Sequence, residues 1–480
     1  TLWITHTAYH DKHRSLWVHA IQDKEKVLSL SLVAPAKIDN PHLSIFEDKV
    51  YLFWEDYAKG EAHIKYAVFA PQTLLAGDTV PEHAPAVVTP AKGYKPQTIV
   101  NGQQLYLFYE GFYQGRYRLM ARCLTSESER FSDAIEIGFE TRNDQAVSLA
   151  LHEDKVIAVW ENSSPLDKGY EWISPSSKKI IIPNFGHGWR VNTNMGLRRV
   201  YFKGQAWHLE TLLTTPKQSI DTQEAAGAPR VHVVDNILYV SYVRWDYGSA
   251  TSSRGWRICT KVFDGDRWIS LDSPADLIQK QRVRPAVLID AARGQVHTFG
   301  QSAEREQEAW DDWTQENAGT YQHTQSLPQP PYTRAAAFVT YQRSQLIRPV
   351  SAENTRRTPY TVNFEDGERR LLWGDLHMHS NLSGCSLGAR FHCTELEEKF
   401  RFCRDVAQLD FALNTDHDSM RDQEWYRNRN SAHFHDLPGH FVAFNGYEWT
   451  CSHFNDKPND GHYNILYKED GPMLRTRDPR

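Results

Sequence analysis

One pattern recurs through the first two thirds of the chain and narrows what it can fold into. An apolar pair leads into a turn of Asp, Asn or Gly, and an alternating strand rich in aromatics follows. It is seen in IFEDKVYLFWE from Ile45, IVNGQQLYLFYE from Ile99, LALHEDKVIAVWE from Leu149, VYFKGQAWHLE from Val200, VVDNILYVSYV from Val233 and VLIDAARGQVHTFG from Val287. Three copies end in an aromatic followed by glutamate: Trp54-Glu55, Tyr109-Glu110 and Trp160-Glu161. Their aromatics are 55 and 51 residues apart, close to the period of four-stranded propeller blades with their loops. A lone hairpin would leave one apolar face wet, and radial stacking of small sheets covers those faces while leaving only short edges. The expectation is a β-propeller of six or seven blades over residues 1–345, with a β-sandwich pair as runner-up. LWITHT from Leu2 matches the second half of a hairpin, so the chain is expected to start inside a blade.

Composition sets the outer limits. At 40% hydrophobic and 24% charged residues the 480-residue chain is an ordinary globular one. No run of about 18 apolar residues is present, so a membrane-embedded chain is not expected, and no export signal opens the sequence. A net charge of −6 gives no general field for a polyanion, and nucleic acid is disfavoured as a partner. Cys123, Cys259, Cys385, Cys393, Cys403 and Cys451 lack paired spacing and are expected to be reduced. Loop aromatics such as Trp245, Tyr247, Trp310 and Trp313 could stack on a sugar, but packing is their plainer role and no site is assigned there.

The texture changes after a proline-rich stretch near 325–333 and a polar, aperiodic one over 349–370, taken together as a linker covering 346–370. From Leu371, short apolar runs alternate with a helix, as in β/α units. Thr394 and Glu397 read as a capping box for that helix, with Leu396, Phe400, Cys403 and Ala407 on one face.

Nine of the 22 histidines fall between His377 and His462, interleaved with acids. Imidazole is a borderline metal ligand, so such a cluster suggests a metal site. LLWGDLHMHS reads as a buried strand ending in His377-x-His379. Residues two apart on a strand share a face, so both rings can reach one cation. LDFALNTDHDS is a strand ending in Thr415, Asp416, His417 and Asp418, whose acids can fix a ligating imidazole in one tautomer. HFVAFNGYEWT places Glu448 at a third strand end, and GHYNILY puts His462 at a fourth, beside Asn464. In β/α barrels reactive groups converge at the carboxyl ends of the strands.

At WGDLHMHS, TELEEKFRFCRDVAQLDFALNTDHD, GYEWT and GHYN, over about Leu371 to Tyr467, the sequence resembles the polymerase and histidinol phosphatase (PHP) superfamily. The likeness is to its branch opening on a WGDLH-x-H strand. Together with the hairpin repeat, the resemblance gives the expectation of a multidomain chain: the all-β propeller followed by what the resemblance implies, an α/β distorted (β/α) barrel of PHP type over 371–480, cut short at its C-terminal end. It implies His377, His379, His417, Glu448 and His462 as metal ligands, with Glu448 bridging, and Asp375, Asp416 and Asn464 in support. It implies two or three Zn²⁺, Mn²⁺ or Fe ions and a phosphatase or phosphodiesterase that uses metal-activated water on a small-molecule or glycan-linked phosphoester. His417 or the neighbouring Asp416 would serve as the proton donor. Two departures stand out: Gly384 and Cys385 follow Ser383 where the family often has Asp-Gly, and no histidine follows His462. The rival expectation is a non-catalytic propeller that binds a glycan or protein, carrying a metal-holding remnant.

Overall fold

The computed structural model describes residues 1–10, 13–57, 61–89, 92–113, 116–138, 143–163, 170–173, 179–182, 193–213, 220, 226–246, 255–271, 278–279, 285–303, 318–327, 336–341, 358–380, 382, 396–418, 420, 422–451 and 461–474. The Thr394 cap, the residues around Ser383 and the side chains of Trp245, Tyr247, Trp310 and Trp313 lie outside them.

Among the described residues, six antiparallel meanders follow one another. The first is Leu2–His10, His13–Gln22 and Glu25–Ala36. The second starts at Ile38–Phe46 and Lys49–Asp56, the third at Lys92–Asn101 and Gln104–Tyr113, the fourth at Asn143–His152 and Lys155–Ser163. The fifth starts at Ala226–Val234 and Ile237–Asp246, the sixth at Ala286–Asp290 and Gln295–Ala303. Phe338–Thr340 returns to extend the fourth sheet. The hairpins are dictated locally: both central residues of Glu47-Asp48, Glu153-Asp154 and Asp235-Asn236 have positive φ, the backbone that a two-residue type I′ turn needs.

Strand alternation decides how the sheets stack. In the second sheet Val50, Leu52 and Trp54 pack on Leu16, Val18 and Ala20 of the first, while Phe53 faces Leu105, Leu107 and Tyr109 of the third. Tyr106 and Phe108 then meet Val156, Ala158 and Trp160. Ile157 and Val159 meet Leu238, Val240 and Tyr242, and Tyr239 and Val243 meet Val287 and Ile289. The second to fifth sheets are thus each covered on both faces by their sequence neighbours, a propeller-type series and not the two facing layers of a sandwich.

The same alternation explains the aromatic–glutamate repeat. Trp54, Tyr109 and Trp160 point to the preceding sheet, so the glutamate after each points to the following one. There it accepts the backbone N–H of a bulged residue with positive φ: Glu55 Oε1 from Lys95 at 2.6 Å, Glu110 Oε1 from Ala146 at 2.8 Å, Glu161 Oε2 from Ala228 at 3.1 Å. All three glutamates are buried. Glu161→Ala leaves the Ala228 N–H without its acceptor, and should cost about 1 to 3 kcal/mol by urea denaturation. Glu161→Gln, which keeps an acceptor, should cost less; equal losses would mean that the side chain only fills space.

The residues from 371 onward correct the barrel expectation. Gly374–Met378, Phe411–Asn414 and Val442–Cys451 run parallel, and Gly461–Tyr467 then pairs antiparallel with Val442–Cys451, putting Glu448 opposite Asn464. That antiparallel return stands where a β/α unit would place a fourth parallel strand. Among the described residues there is an open four-stranded mixed sheet and no α/β barrel. Within the stretch read as linker, Thr361–Phe364 and Gly367–Arg370 form a hairpin.

The helices Leu396–Arg401 and Asp422–His435 lie between this sheet and the blades. Leu396, Phe400 and Cys403 join Met378, Ala412 and Tyr447 on the sheet side. On the other side Phe434 and Leu437 pack with Tyr57, Tyr94, Phe112 and Tyr117 of the second and third sheets. Arg401 reaches Glu110 Oε2 and Glu398 Oε1, each at 3.1 Å, with its guanidinium 4.8 Å from the ring centres of Tyr94 and Tyr117. Asp405 receives Arg404 at 2.8 and 2.9 Å and the Tyr94 hydroxyl. Burial pushes the Asp405 carboxyl up, but Arg404 and Lys92 outweigh it and hold it below its ordinary range.

Cys123, Cys259 and Cys403 are reduced and buried. Among the described residues no helix is long and apolar enough to cross a membrane.

Candidate metal centre

Four neighbouring strands deliver the clustered residues. His377 and His379 sit at the end of Gly374–Met378, their rings 5.0 Å apart. His417 follows Phe411–Asn414 and bridges in parallel to Glu448. The Glu448 N–H donates to Asp416 O at 3.1 Å and the Asp418 N–H to Glu448 O at 3.0 Å, which holds the two strand ends in step. His462 pairs with Thr450 across the antiparallel ladder, two residues along from the Glu448–Asn464 pair.

The carboxylate is the hub. Glu448 Oε1 is 2.6 Å from His462 Nδ1, and Oε2 is 3.0 Å from His379 Nε2 and 3.3 Å from His417 Nδ1. Two triads meet the reach of a single cation, His377–His379–Glu448 and His417–Glu448–His462, with ligand atoms in each within 4.8 Å of one another. All five residues expected as ligands come together. Glu448 is buried, while His377 and His462 are exposed, so the cluster opens to solvent on one side.

Whether this donor set suits a metal is read from Glu448. Burial pushes its carboxyl up, but the facing imidazoles of His379, His417 and His462 outweigh it and bring it down to about 2. Its Oε2 is buried and receives no hydrogen bond of ordinary geometry despite two nitrogens within 3.3 Å. A desolvated carboxylate ringed by imidazoles and short of a directed partner fits divalent cations. Four imidazoles and one carboxylate suit Zn²⁺, Mn²⁺ or Fe better than Mg²⁺ or Ca²⁺.

Supporting contacts were partly legible. Asn464 Oδ1 lies 3.0 Å from His377 Nδ1 and its amide donates to Leu376 O at 3.0 Å. With Asn464 Oδ1 as acceptor the His377 proton sits on Nδ1, which leaves Nε2 as the nitrogen able to ligate. Asp375 accepts the His377 N–H at 2.9 Å. Thr450 Oγ1, 2.6 Å from His417 Nδ1, went unnoticed in the sequence although it is two residues from Glu448 on one strand face. Asp416, expected to move protons, is wholly buried and committed to Ser380 N at 2.7 Å, Ser380 Oγ at 2.5 Å and Asn414 Nδ2 at 2.6 Å. Burial raises its pKa. The structure places it beneath the cluster, pinning the residue after His379. His417 lines the cluster itself.

If cations occupy the two triads, they would supply Lewis-acid polarisation and a bound water of lowered pKa. The protein's share is to fix imidazole tautomers and to shield one side of the shared carboxylate.

No family model matches this chain, and no curated protein does. Similar solved structures include an ulvan lyase of polysaccharide lyase family 25, 12% identical over 71% of this chain and 80% of that one, TM-score 0.42. The polysaccharide lyase Uly1 is 9% identical over 68% and 88%, TM-score 0.34. A thermostable family-43 glycoside hydrolase is 12% identical over 66% and 97%, TM-score 0.30. All three are named as glycan-active enzymes and none as a phosphoesterase. The PHP resemblance is corrected: no match to that superfamily supports it, and the barrel it implies is not formed among the described residues. The phosphatase or phosphodiesterase reading falls with it.

Proposed function

We propose that this chain is a glycan-binding propeller protein whose C-terminal part holds two divalent cations on Glu448, one with His377 and His379, the other with His417 and His462. The observation that carries the metal half is the buried Glu448 carboxylate, its two oxygens within 2.6 to 3.3 Å of three imidazoles drawn from different strands. Zn²⁺ or Fe is the first choice because imidazole dominates the ligand set. The glycan half is supported by the aromatic-rich sequence around Trp245, Tyr247, Trp310 and Trp313, rings of the kind that stack on sugars.

The full-length protein, applied to a panel of immobilised neutral and acidic polysaccharides, should bind at least one class. Trp310→Ala with Trp313→Ala should weaken that binding about tenfold, or about 1.4 kcal/mol. No binding across the panel contradicts the glycan half. A second reading, an enzyme acting on the bound glycan, is favoured by the solvent-open side of the cluster at His377 and His462. It requires polysaccharide cleavage that depends on added metal and is lost in Glu448→Gln.

A further inference from the structure

We propose that Asn414 and Asn428, buried between the C-terminal sheet and the helix Asp422–His435, are positioning residues that set the cation affinity of the Glu448 cluster, an inference that rests on the two-cation reading. On that helix Trp425, Asn428, Ala432 and His435 recur at helical spacing and are all buried. Trp425 and Ala432 join the apolar cluster against the sheet. Asn414 likewise lies two residues after buried Ala412 on one strand. An apolar residue at either place would fill the same space with less desolvation, so the packing alone does not call for an amide.

The two amides form a chain of hydrogen bonds. Asn428 Nδ2 donates to Gly446 O at 2.9 Å, and Asn428 Oδ1 accepts Asn414 Nδ2 at 3.0 Å. The other Asn414 N–H reaches Asp416 Oδ2 at 2.6 Å, so both hydrogens of that amide are used. Asp416 in turn accepts the Ser380 N–H and hydroxyl, and its backbone carbonyl accepts the Glu448 N–H at 3.1 Å.

The chain thereby ends on three of the five expected ligands through their neighbours. Ser380 follows His379, Asp416 precedes His417, and Gly446 is two residues before Glu448. These residues come from three different strand ends, and the helix supplies the one fixed point that holds them in register. His377 and His462 lie outside the chain, held by Asn464 and by the antiparallel ladder. Partners beyond the ligands that orient them are worth about 10 to 100-fold in metal affinity.

The test compares Asn428→Leu and Asn414→Leu, which keep bulk and lose the hydrogen bonds, with Phe434→Leu, which loosens the same helix on its propeller side. Zn²⁺ affinity of the full-length protein is read by competition with a chromophoric chelator. Melting temperatures of the metal-free chains show which variants are folded, and hydrogen exchange over residues 376–380 reports the His379 strand end without metal. Both asparagine variants should bind Zn²⁺ about tenfold more weakly or worse and exchange faster over 376–380. Phe434→Leu should keep the parent's affinity even where its melting temperature falls as far. Parental affinity in both asparagine variants overturns the proposal while the two-cation reading stands. Equal weakening in Phe434→Leu also overturns it, since any loosening of the helix would then suffice. A parent that binds no cation overturns the two-cation reading, and this inference with it.

Discussion

Arg401→Ala is expected to destabilise the protein by about 3 to 5 kcal/mol, the usual consequence of leaving one partner of a buried ion pair alone. Glu110 and Arg401 are both almost completely buried and face each other at 3.1 Å. The guanidinium also lies over Tyr94 and Tyr117. Without it, Glu110 keeps the Ala146 N–H and the Lys95 ammonium at 3.7 Å, and loses its closest positive charge. Arg401→Lys should recover only part of the loss, since an ammonium cannot satisfy Glu110 and Glu398 while stacking on two rings. Chemical denaturation of the full-length chain measures this. A loss below about 1 kcal/mol for the alanine variant would mean that the helix Leu396–Arg401 is not docked on the third sheet as described.

Glu448→Gln is expected to abolish cation binding at both triads together. The carboxylate is common to the two, so one substitution removes a charged ligand from each. His377→Ala removes a ligand from one triad alone and should leave the other ion in place. Thermal unfolding offers an independent readout. A cation at about 100 times its dissociation constant stabilises the folded chain by about 2.7 kcal/mol. Added Zn²⁺ should therefore raise the melting temperature of the parent and leave that of Glu448→Gln unmoved. Loss of only one ion in Glu448→Gln would show that the triads do not share it.

How much of this was legible in the sequence depended on the range of the contact. Hairpins such as Glu47-Asp48 were readable because turn and alternation lie within a dozen residues. The aromatic–glutamate repeat was visible, but its role was not, because the partner is a backbone N–H 40, 36 or 67 residues away at Lys95, Ala146 or Ala228. A signal was available: Pro96 and Pro229 follow two of these bulged residues, and proline, having no N–H to give a ladder, marks bulges within strands.

The gathering of His377, His379, His417, Glu448 and His462 was legible for a different reason. His377 and His379 share a strand face by spacing alone, and strand ends gather the rest. The docking of Arg401 on Glu110, or of Tyr94 on Asp405, joins residues 291 and 311 positions apart and leaves no local mark. The barrel failed as an expectation because short strand motifs fix where a strand ends, not how a sheet closes. Among the described residues Gly461–Tyr467 turns back antiparallel and the sheet stays open, and a likeness of motifs is not a likeness of fold or function.

The most direct test of the account is the number of divalent cations held by the full-length protein after stripping, reloading with Zn²⁺ or Mn²⁺ and exhaustive dialysis, read by elemental analysis. The cluster around Glu448 predicts two tightly held ions per chain. A chain that retains none, or that retains the same number after Glu448→Gln, would contradict it.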